Sequence, residues 1–400
     1  MLVSPESNVL WLEDRPTLEQ GSLPLSCDTV VVGAGIAGTW LALELQRAGL
    51  EVLLLDGAQA AAGSSGRNAG QLIADLPWAY AEAIRRLGRD LARQWRELLV
   101  LNQQWLDAEL ADCRSEVQFM RTGSLSCAAD DAERKLLELS ARRLVEDGFP
   151  VEFWTAEQLQ KRLGVSPFHG ALYQPEDATL HPARLVWALL GKFQRAGGRY
   201  RGDTRVQTAT QMQDGWSVEL ANGTVACRRI IWCLNGGLAD CLPELVNVIQ
   251  PARAQILLGG RERKVFAMPM ASNRGQEYWR QAEKGEVLIG GMRRFADPAH
   301  ADRELDPLVD ERLRQFGSET FPKLAGVEFT GGWTGLLALT TDERPLVGPR
   351  PGFSGQFVCG GWNGCGLGQA IVFGRLLAGE ILAGEPDARL DAFRPARFDG

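Results

Sequence analysis

The chain of 400 residues is 45% hydrophobic and 23% charged, with a formal net charge of −7. It is too long for one ordinary domain, so two are expected, and its negative charge argues against a nucleic-acid partner. No window approaches the ~18 apolar residues of a membrane span, and the eight cysteines show neither CxxC nor zinc-like spacing, so they read as reduced thiols of a cytoplasmic protein.

Residues 1–26 form a leader without clear periodicity. Its acids Glu6, Glu13, Asp14 and Glu19, and its lack of an apolar stretch, exclude a secretory signal. Thr29–Val32 is a β-branched run that enters Gly33-Ala34-Gly35-Ile36-Ala37-Gly38, a GxGxxG turn. Ile36–Ala48 then reads as a helix, with Leu41, Leu45 and Ala48 on one stripe and Gly49 ending it. Glu51–Asp56 follows as an apolar strand suited to a buried parallel sheet. Gly33 allows the tight turn, Gly35 lets the backbone approach a pyrophosphate, and Gly38 lets helix and strand pack closely. The helix start at Ile36 and Ala37 offers free N–H groups and a positive dipole end to phosphates. Asp56, followed by Gly57, is placed to accept both ribose hydroxyls, which fits FAD or NAD better than NADP. With strand, helix, second strand and acid all at the expected spacing, the unit reads as dinucleotide-binding.

Gly63-Ser64-Ser65-Gly66-Arg67-Asn68-Ala69-Gly70-Gln71 comes next, small, polar and glycine-rich. An NAD dehydrogenase would continue here with alternating helix and strand, whereas a longer, extended cofactor needs a second loop. Tyr80–Leu110 is strongly helical, Gln118–Ala128 reads as a strand, Asp130–Glu146 as a helix and Phe168–Gln174 as a strand. Thr204–Val206 and the strand Arg228–Trp232, ending in Cys233-Leu234-Asn235-Gly236-Gly237, are further small-residue turns. Pro251–Gly259, Gln276–Arg280 and Glu286–Met292 alternate or run apolar in the manner of an antiparallel sheet. Arg293 and Arg294 follow it, candidates for binding a carboxylate bidentately or else exposed charges beyond a strand. Phe357–Gly368 contains Gly360-Gly361-Trp362-Asn363-Gly364-Cys365-Gly366-Leu367-Gly368 and opens an apolar helix through Leu377. A core helix needs one or two such glycines, but not six from Gly355 to Gly368. The segment reads as backbone N–H groups and a helix N-terminus set against a ligand that carries negative charge, as reduced flavin does. The three histidines, His169, His181 and His300, form no triad with serine or cysteine, and no metal cluster is visible.

Taken together these motifs resemble the FAD-dependent amino-acid and amine oxidoreductases of the D-amino-acid oxidase family. GSSGRNAGQ looks closest to the γ-glutamylputrescine oxidoreductase-like branch. The resemblance implies an α/β fold in which a doubly wound, Rossmann-like FAD-binding domain is interleaved with an antiparallel-sheet substrate domain. The FAD-binding domain is expected over 27–110, 183–245 and 336–395, and the substrate domain over 111–182 and 246–335. By the same resemblance Ser64, Ser65, Arg67, Asn68, Ala69, Gly70 and Gln71 touch the pyrophosphate, ribityl chain or flavin edge. Val206 places its backbone beside the adenine, Asn235 and Gly236 pass close to the cofactor, and Gly361, Asn363, Gly364, Cys365, Gly366, Leu367 and Gly368 meet the flavin. Asp177–Pro182 resembles a family turn, which makes His181 a pocket candidate. Glu277-Tyr278-Trp279-Arg280 resembles a strand above the flavin, with Tyr278, Trp279 and Arg280 as substrate-pocket candidates. Relatives that bind FAD covalently use a cysteine before the Thr-x-Asp segment. Gly335–Thr340 has none, so noncovalent FAD is expected, with Cys365 the one thiol to check. The expected reaction is oxidation of an amine or amino-acid C–N bond to an imine by hydride transfer to flavin N5. The acceptor that reoxidises the flavin, whether oxygen, quinone or protein, stays open, as do the oligomeric state and a non-catalytic flavin-binding role.

Overall fold

The computed structural model describes residues 5–164, 167–297, 304–324 and 326–399. His300 lies outside these. Two eight-stranded sheets organise the chain.

The first is built on a parallel ribbon. Ser26–Val32 lies between Val52–Leu55 and Gly223–Trp232, with Val32 level with both Leu55 and Trp232. Arg199–Arg201 extends the ribbon beyond Val52–Leu55, and Gln356–Gly360 extends it beyond Gly223–Trp232. Val52–Leu55 is buried at every position, as a central parallel strand covered on both faces must be. On one face lies the helix Ile36–Arg47, packed against the helices Pro182–Arg195 and Ala370–Ala383. The other face carries a smaller core of Val30, Leu53, Val218, Val225, Ile230 and their neighbours. A hairpin, Val206–Met212 with Gly215–Leu220, pairs antiparallel with the first half of Gly223–Trp232. The fold is therefore the expected α/β, doubly wound type.

The second sheet runs in the order Phe329–Thr340, Ile249–Arg261, Glu286–Gly291, Glu277–Gln281, Met270–Ser272, Ser124–Cys127, Gly170–Gln174, Glu152–Thr155. All neighbours are antiparallel except Ser124–Cys127 beside Met270–Ser272. The helix Pro307–Thr320 backs it through Val309 and Leu313. A small third sheet, Gln71–Leu72 and Met120–Arg121 on either side of Ala178–Thr179, joins the two regions.

Several elements differ in detail from the sequence expectation. The helical stretch 80–110 is two helices, Tyr80–Leu87 and Arg89–Glu109, broken at Gly88, where φ is +83°. The strand expected over 118–128 is two short strands around Gly123. The expected domain boundary at 336 falls inside the strand Phe329–Thr340, whose residues Leu336–Thr340 pair with Ile249–Arg253. Glycine-rich and only partly apolar, that strand carries no alternation to betray it.

The leader is an integral part of the fold. Val9, Trp11 and Leu12 are buried in the main core. Trp11 donates from Nε1 to the carbonyl of Asn68 at 2.8 Å, and its ring meets those of His181 and Trp333 edge-on. Trp11→Ala is expected to cost about 3–5 kcal/mol of stability, because the cavity it leaves is lined by three separate elements. Denaturant melts of the variant check this; a loss below about 1 kcal/mol would mean that the leader merely rests on the surface.

Candidate active site

Val32 ends its strand and the chain turns at Gly33, whose φ of +110° suits glycine alone. A side chain at Gly38 would overlap the carbonyl oxygen of Gly33, so helix and turn are locked in contact. The N-cap residue Gly35 gives the helix that follows no side-chain cap, and Gly35, Ile36 and Ala37 line a cavity of about 580 Å³. Ser65 takes the N–H of Ile36, and the N–H of Ala37 with the dipole of this twelve-residue helix is the setting for an anion such as a pyrophosphate. Asp56 sits at the far end, outside the cavity lining. Its carboxylate accepts the N–H of Ala34 at 2.7 Å and of Ala58 at 2.9 Å. Burial pushes it up to about 6, against the pull of those two N–H groups. Gly57 is exposed beside Arg205. The backbone of Asp203 and Thr204 bonds to Ala58 and Asp56, which brings Val206 to the same end; its side chain faces a separate cleft.

The segment Gly63–Gln71 runs along the cavity, with Ser64, Ser65, Arg67, Asn68, Ala69 and Gln71 in its lining. Its backbone is held from every side. Ser65 Oγ accepts the N–H of Ile36 at 2.9 Å, and Ser64 donates to the carbonyl of Leu336 in the second sheet. Arg67 is 7% exposed and donates to the carbonyls of Ala62 and Thr334, while its own carbonyl accepts Trp333 Nε1 at 2.8 Å. Asn68 closes the turn on itself, bonding the carbonyls of Ser64 and Ser65 and the N–H of Gly70.

Asn363, Gly364, Cys365, Gly366, Leu367 and Gly368 form the opposite wall with Asn235. Asn235 accepts the N–H of Trp362, and Asn363 ties the loop to Thr340 and Gly361. Gly236 and Gly361 lie behind, where side chains would meet Leu336 and Thr340. The N-terminus of the helix Ala370–Ala383 is already occupied. Buried Asn102 accepts the N–H groups of Ile371 and Val372 and donates to Leu367 O. Two of the first N–H groups of this helix are therefore taken by the protein itself, a correction to the sequence reading, which set them against a ligand. Asn102 carries no motif and was invisible there.

The second sheet roofs the cavity, and Tyr278, Ala254, Ile256 and Gly291 face it. Burial pushes the Tyr278 phenol up to about 12. Trp279 points to the other side of the same strand, into a cluster with Phe168, Phe316 and Phe321. Arg280 is 2% exposed, and its Nη1 donates to the carbonyls of Ala69, Gly70 and Leu180 at 2.5–3.1 Å. Desolvation lowers it to about 10. Arg280 thus pins the cofactor-facing segment from behind instead of meeting a substrate. His181 also lies off the cavity. It caps the helix Pro182–Arg195, its Nδ1 accepting the N–H of Arg184 at 3.2 Å. Arg293 lines the cavity, whereas Arg294 pairs with Glu277. Asp75, Arg96 and Glu343 line it too, and the sequence reading had not singled them out.

With this geometry in place, comparison with known proteins is decisive. Residues 28–380 match the family described as FAD dependent oxidoreductase (DAO). The chain belongs to the DAO family. FAD is its cofactor, and the start of the first helix, the stitched segment 63–71 and the glycine loop 363–368 line one cavity with residues that fit it. The chain is 26% identical over 388 residues to a probable oxidoreductase OrdL of Rhizobium meliloti, covering 92% of this chain and 87% of that protein. It is 26% identical to the γ-glutamylputrescine oxidoreductase of Escherichia coli, covering 92% and 86%. The crystal structure of glycine oxidase from Geobacillus kaustophilus superposes with a TM-score of 0.80 at 19% identity, over 94% of this chain and all of that one, and shares the fold. Among the described residues no group of three or more His, Cys, Asp or Glu is arranged for a metal, and no helix is long and apolar enough to cross a membrane.

His181 gives a pH prediction. Desolvation first, then the charges of Arg184 and Arg280, lower it to about 3 from an ordinary 6.5. The unfolded chain takes up the proton first, so the contribution to stability is complete above pH 6.5 and lost as pH falls towards 3. Between pH 6.5 and 5 the loss should be about 2 kcal/mol. His181→Asn, which keeps an acceptor for the Arg184 N–H, should remove that slope in urea melts; an unchanged slope would place the titrating group elsewhere.

Proposed function

We propose that this DAO-family enzyme oxidises the C–N bond of an amine or amino acid to an imine, which water then hydrolyses. The observation that carries the reading is one continuous cavity, lined on one side by the three cofactor segments and on the other by the antiparallel sheet. A small molecule bound under that sheet lies against the cofactor. The bound FAD supplies the hydride acceptor at its N5 position. The names of the relatives, a γ-glutamylputrescine oxidoreductase and a glycine oxidase, support nitrogen-bearing substrates.

The residues of this chain have the tasks of binding, orienting and drying. The aromatic face of Tyr278 and the apolar side chains of Ile256, Leu336 and Leu337 exclude water from the cavity. Arg293 lines the cavity, and its charge partly offsets the rise that burial imposes on Tyr278 and Cys365, so its guanidinium is a candidate partner for a substrate carboxylate. No side-chain base is required, because the proton leaves from the amine as its neutral form binds. FAD is bound noncovalently on this reading. Burial, and then the charge of Asp75, push the Cys365 thiol up to about 12, so at neutral pH it lacks the thiolate that attachment needs.

The purified protein should be yellow, release its flavin on acid denaturation, and bleach when mixed anaerobically with a suitable member of a panel of primary amines, secondary amines and D- and L-amino acids. Flavin that stays with the denatured chain would overturn noncovalent binding. A flavin-loaded protein that no member of the panel bleaches would overturn amine oxidation.

A further inference from the structure

Amine oxidation uses the lone pair of the reacting nitrogen. A carboxylate set against that nitrogen would hold it as ammonium and oppose the reaction. A carboxylate facing the cavity is therefore better matched to a different cation.

Asp75 is such a carboxylate. It ends the stretch Ile73-Ala74-Asp75, which runs beside the glycine loop; a side chain on Gly368 would overlap the carbonyl oxygen of Ile73. The Asp75 side chain is 41% exposed and lines the cavity. One of its oxygens is held in place. Oδ1 accepts Gln174 Nε2 at 2.8 Å and lies 3.8 Å from Arg96 Nη1, and Arg96 Nη2 in turn fixes Gln174 at 2.8 Å. The other oxygen is nearly free, since Oδ2 meets the Ser126 hydroxyl at 3.5 Å, the limit of a hydrogen bond.

Behind it lies a second carboxylate, Asp177, buried and bonded by Gln103, Ser124 and the N–H of Ala74. Arg96 is thus shared electrostatically between two acids; burial holds the Asp75 carboxyl above the usual carboxylate range, and a cationic group bound beside it favours its ionised form. Glu343, also in the lining, is engaged by Trp78 and Arg86. Leu76, Leu136, Leu137, Leu144 and Leu172 give the same cavity an aliphatic part of its lining.

We propose that Asp75 determines specificity by binding a second, non-reacting cationic group of the substrate, an ammonium or guanidinium carried on an aliphatic spacer that lies against these leucines. This rests on the amine-oxidation reading and narrows it from amines in general to amines with two positive charges.

The test is an anaerobic titration of the FAD-loaded enzyme with 1,4-diaminobutane and with n-butylamine, which has the same spacer and one charge fewer. Dissociation constants come from the flavin spectrum and oxidation from bleaching. The wild type should bind the diamine at least about tenfold more tightly than the monoamine, the scale of one charge-assisted hydrogen bond. Asp75→Asn should abolish that preference by weakening the diamine alone, with bleaching at saturation little changed, and Asp75→Glu should retain it. A wild type that binds both amines alike, or an undiminished preference in Asp75→Asn, would overturn the proposal. So would slower bleaching of both amines at saturation in Asp75→Asn, since Asp75 would then act on the reacting nitrogen. If neither amine bleaches the flavin while an Asp75-dependent preference persists, the cation site stands and oxidation of these two amines fails.

Discussion

The segment Gly63–Gln71 passes between two sheets and a leader, and nearly every polar group of its backbone must find a partner there. A buried N–H or carbonyl left unpaired costs about 1–3 kcal/mol, so a loop of this kind can exist only if the surrounding elements are built to meet it. Ser65 reaches the helix start at Ile36, Arg67 donates to Thr334 and accepts from Trp333 of the second sheet, Arg280 gathers two carbonyls from below, and Trp11 of the leader takes the carbonyl of Asn68. The surface that this segment turns to the cavity is thereby set in part by Arg280, Trp333 and Trp11, which lie outside the cavity lining. It also holds the two sheets together, so the shape of the cavity and the joining of the two halves are one problem with one solution.

Charge is distributed along the cavity in keeping with this scaffold. The first helix gives one N–H of its N-terminus, that of Ile36, to Ser65, whereas the last helix gives two to Asn102. The dipole of the first helix favours an anion at its end of the cavity, and Asn363 and Asn235 fix the loop on the other wall. The rest of the cavity lining carries side-chain charges of both signs, Arg293 and Asp75 among them. The same burial that holds Cys365 and Tyr278 protonated strengthens every interaction such charges make with a ligand.

The strand–turn–helix unit was legible in the sequence because its signals are local. A Gly33 that must turn, a Gly38 that must touch, and an acid at the end of the second strand are set within thirty residues. The glycine loop was legible for the same reason. What could not be read was the direction in which side chains point once distant strands pair. Tyr278, Trp279 and Arg280 are consecutive, yet one faces the cavity, one a phenylalanine cluster and one the back of the cofactor segment, and only the register with Glu286–Gly291 and Met270–Ser272 decides which. His181 looked like a pocket residue in a family-like turn; its ring nitrogen serves instead as a helix cap, a role any acceptor could fill. Asp75 had one faint signal, an acid within the otherwise apolar Leu72-Ile73-Ala74-Asp75-Leu76, and nothing in its sequence neighbours points to Gln174 or Arg96.

The central claim is that three separated segments form one clamp along a single FAD. Hydrogen exchange measured on protein stripped of flavin and then reloaded with FAD tests it most directly. The account predicts that protection rises together in residues 33–38, 63–71 and 361–368 on reloading. Protection confined to the first of these, with the other two unchanged, would mean that only the dinucleotide end binds as described and would contradict it.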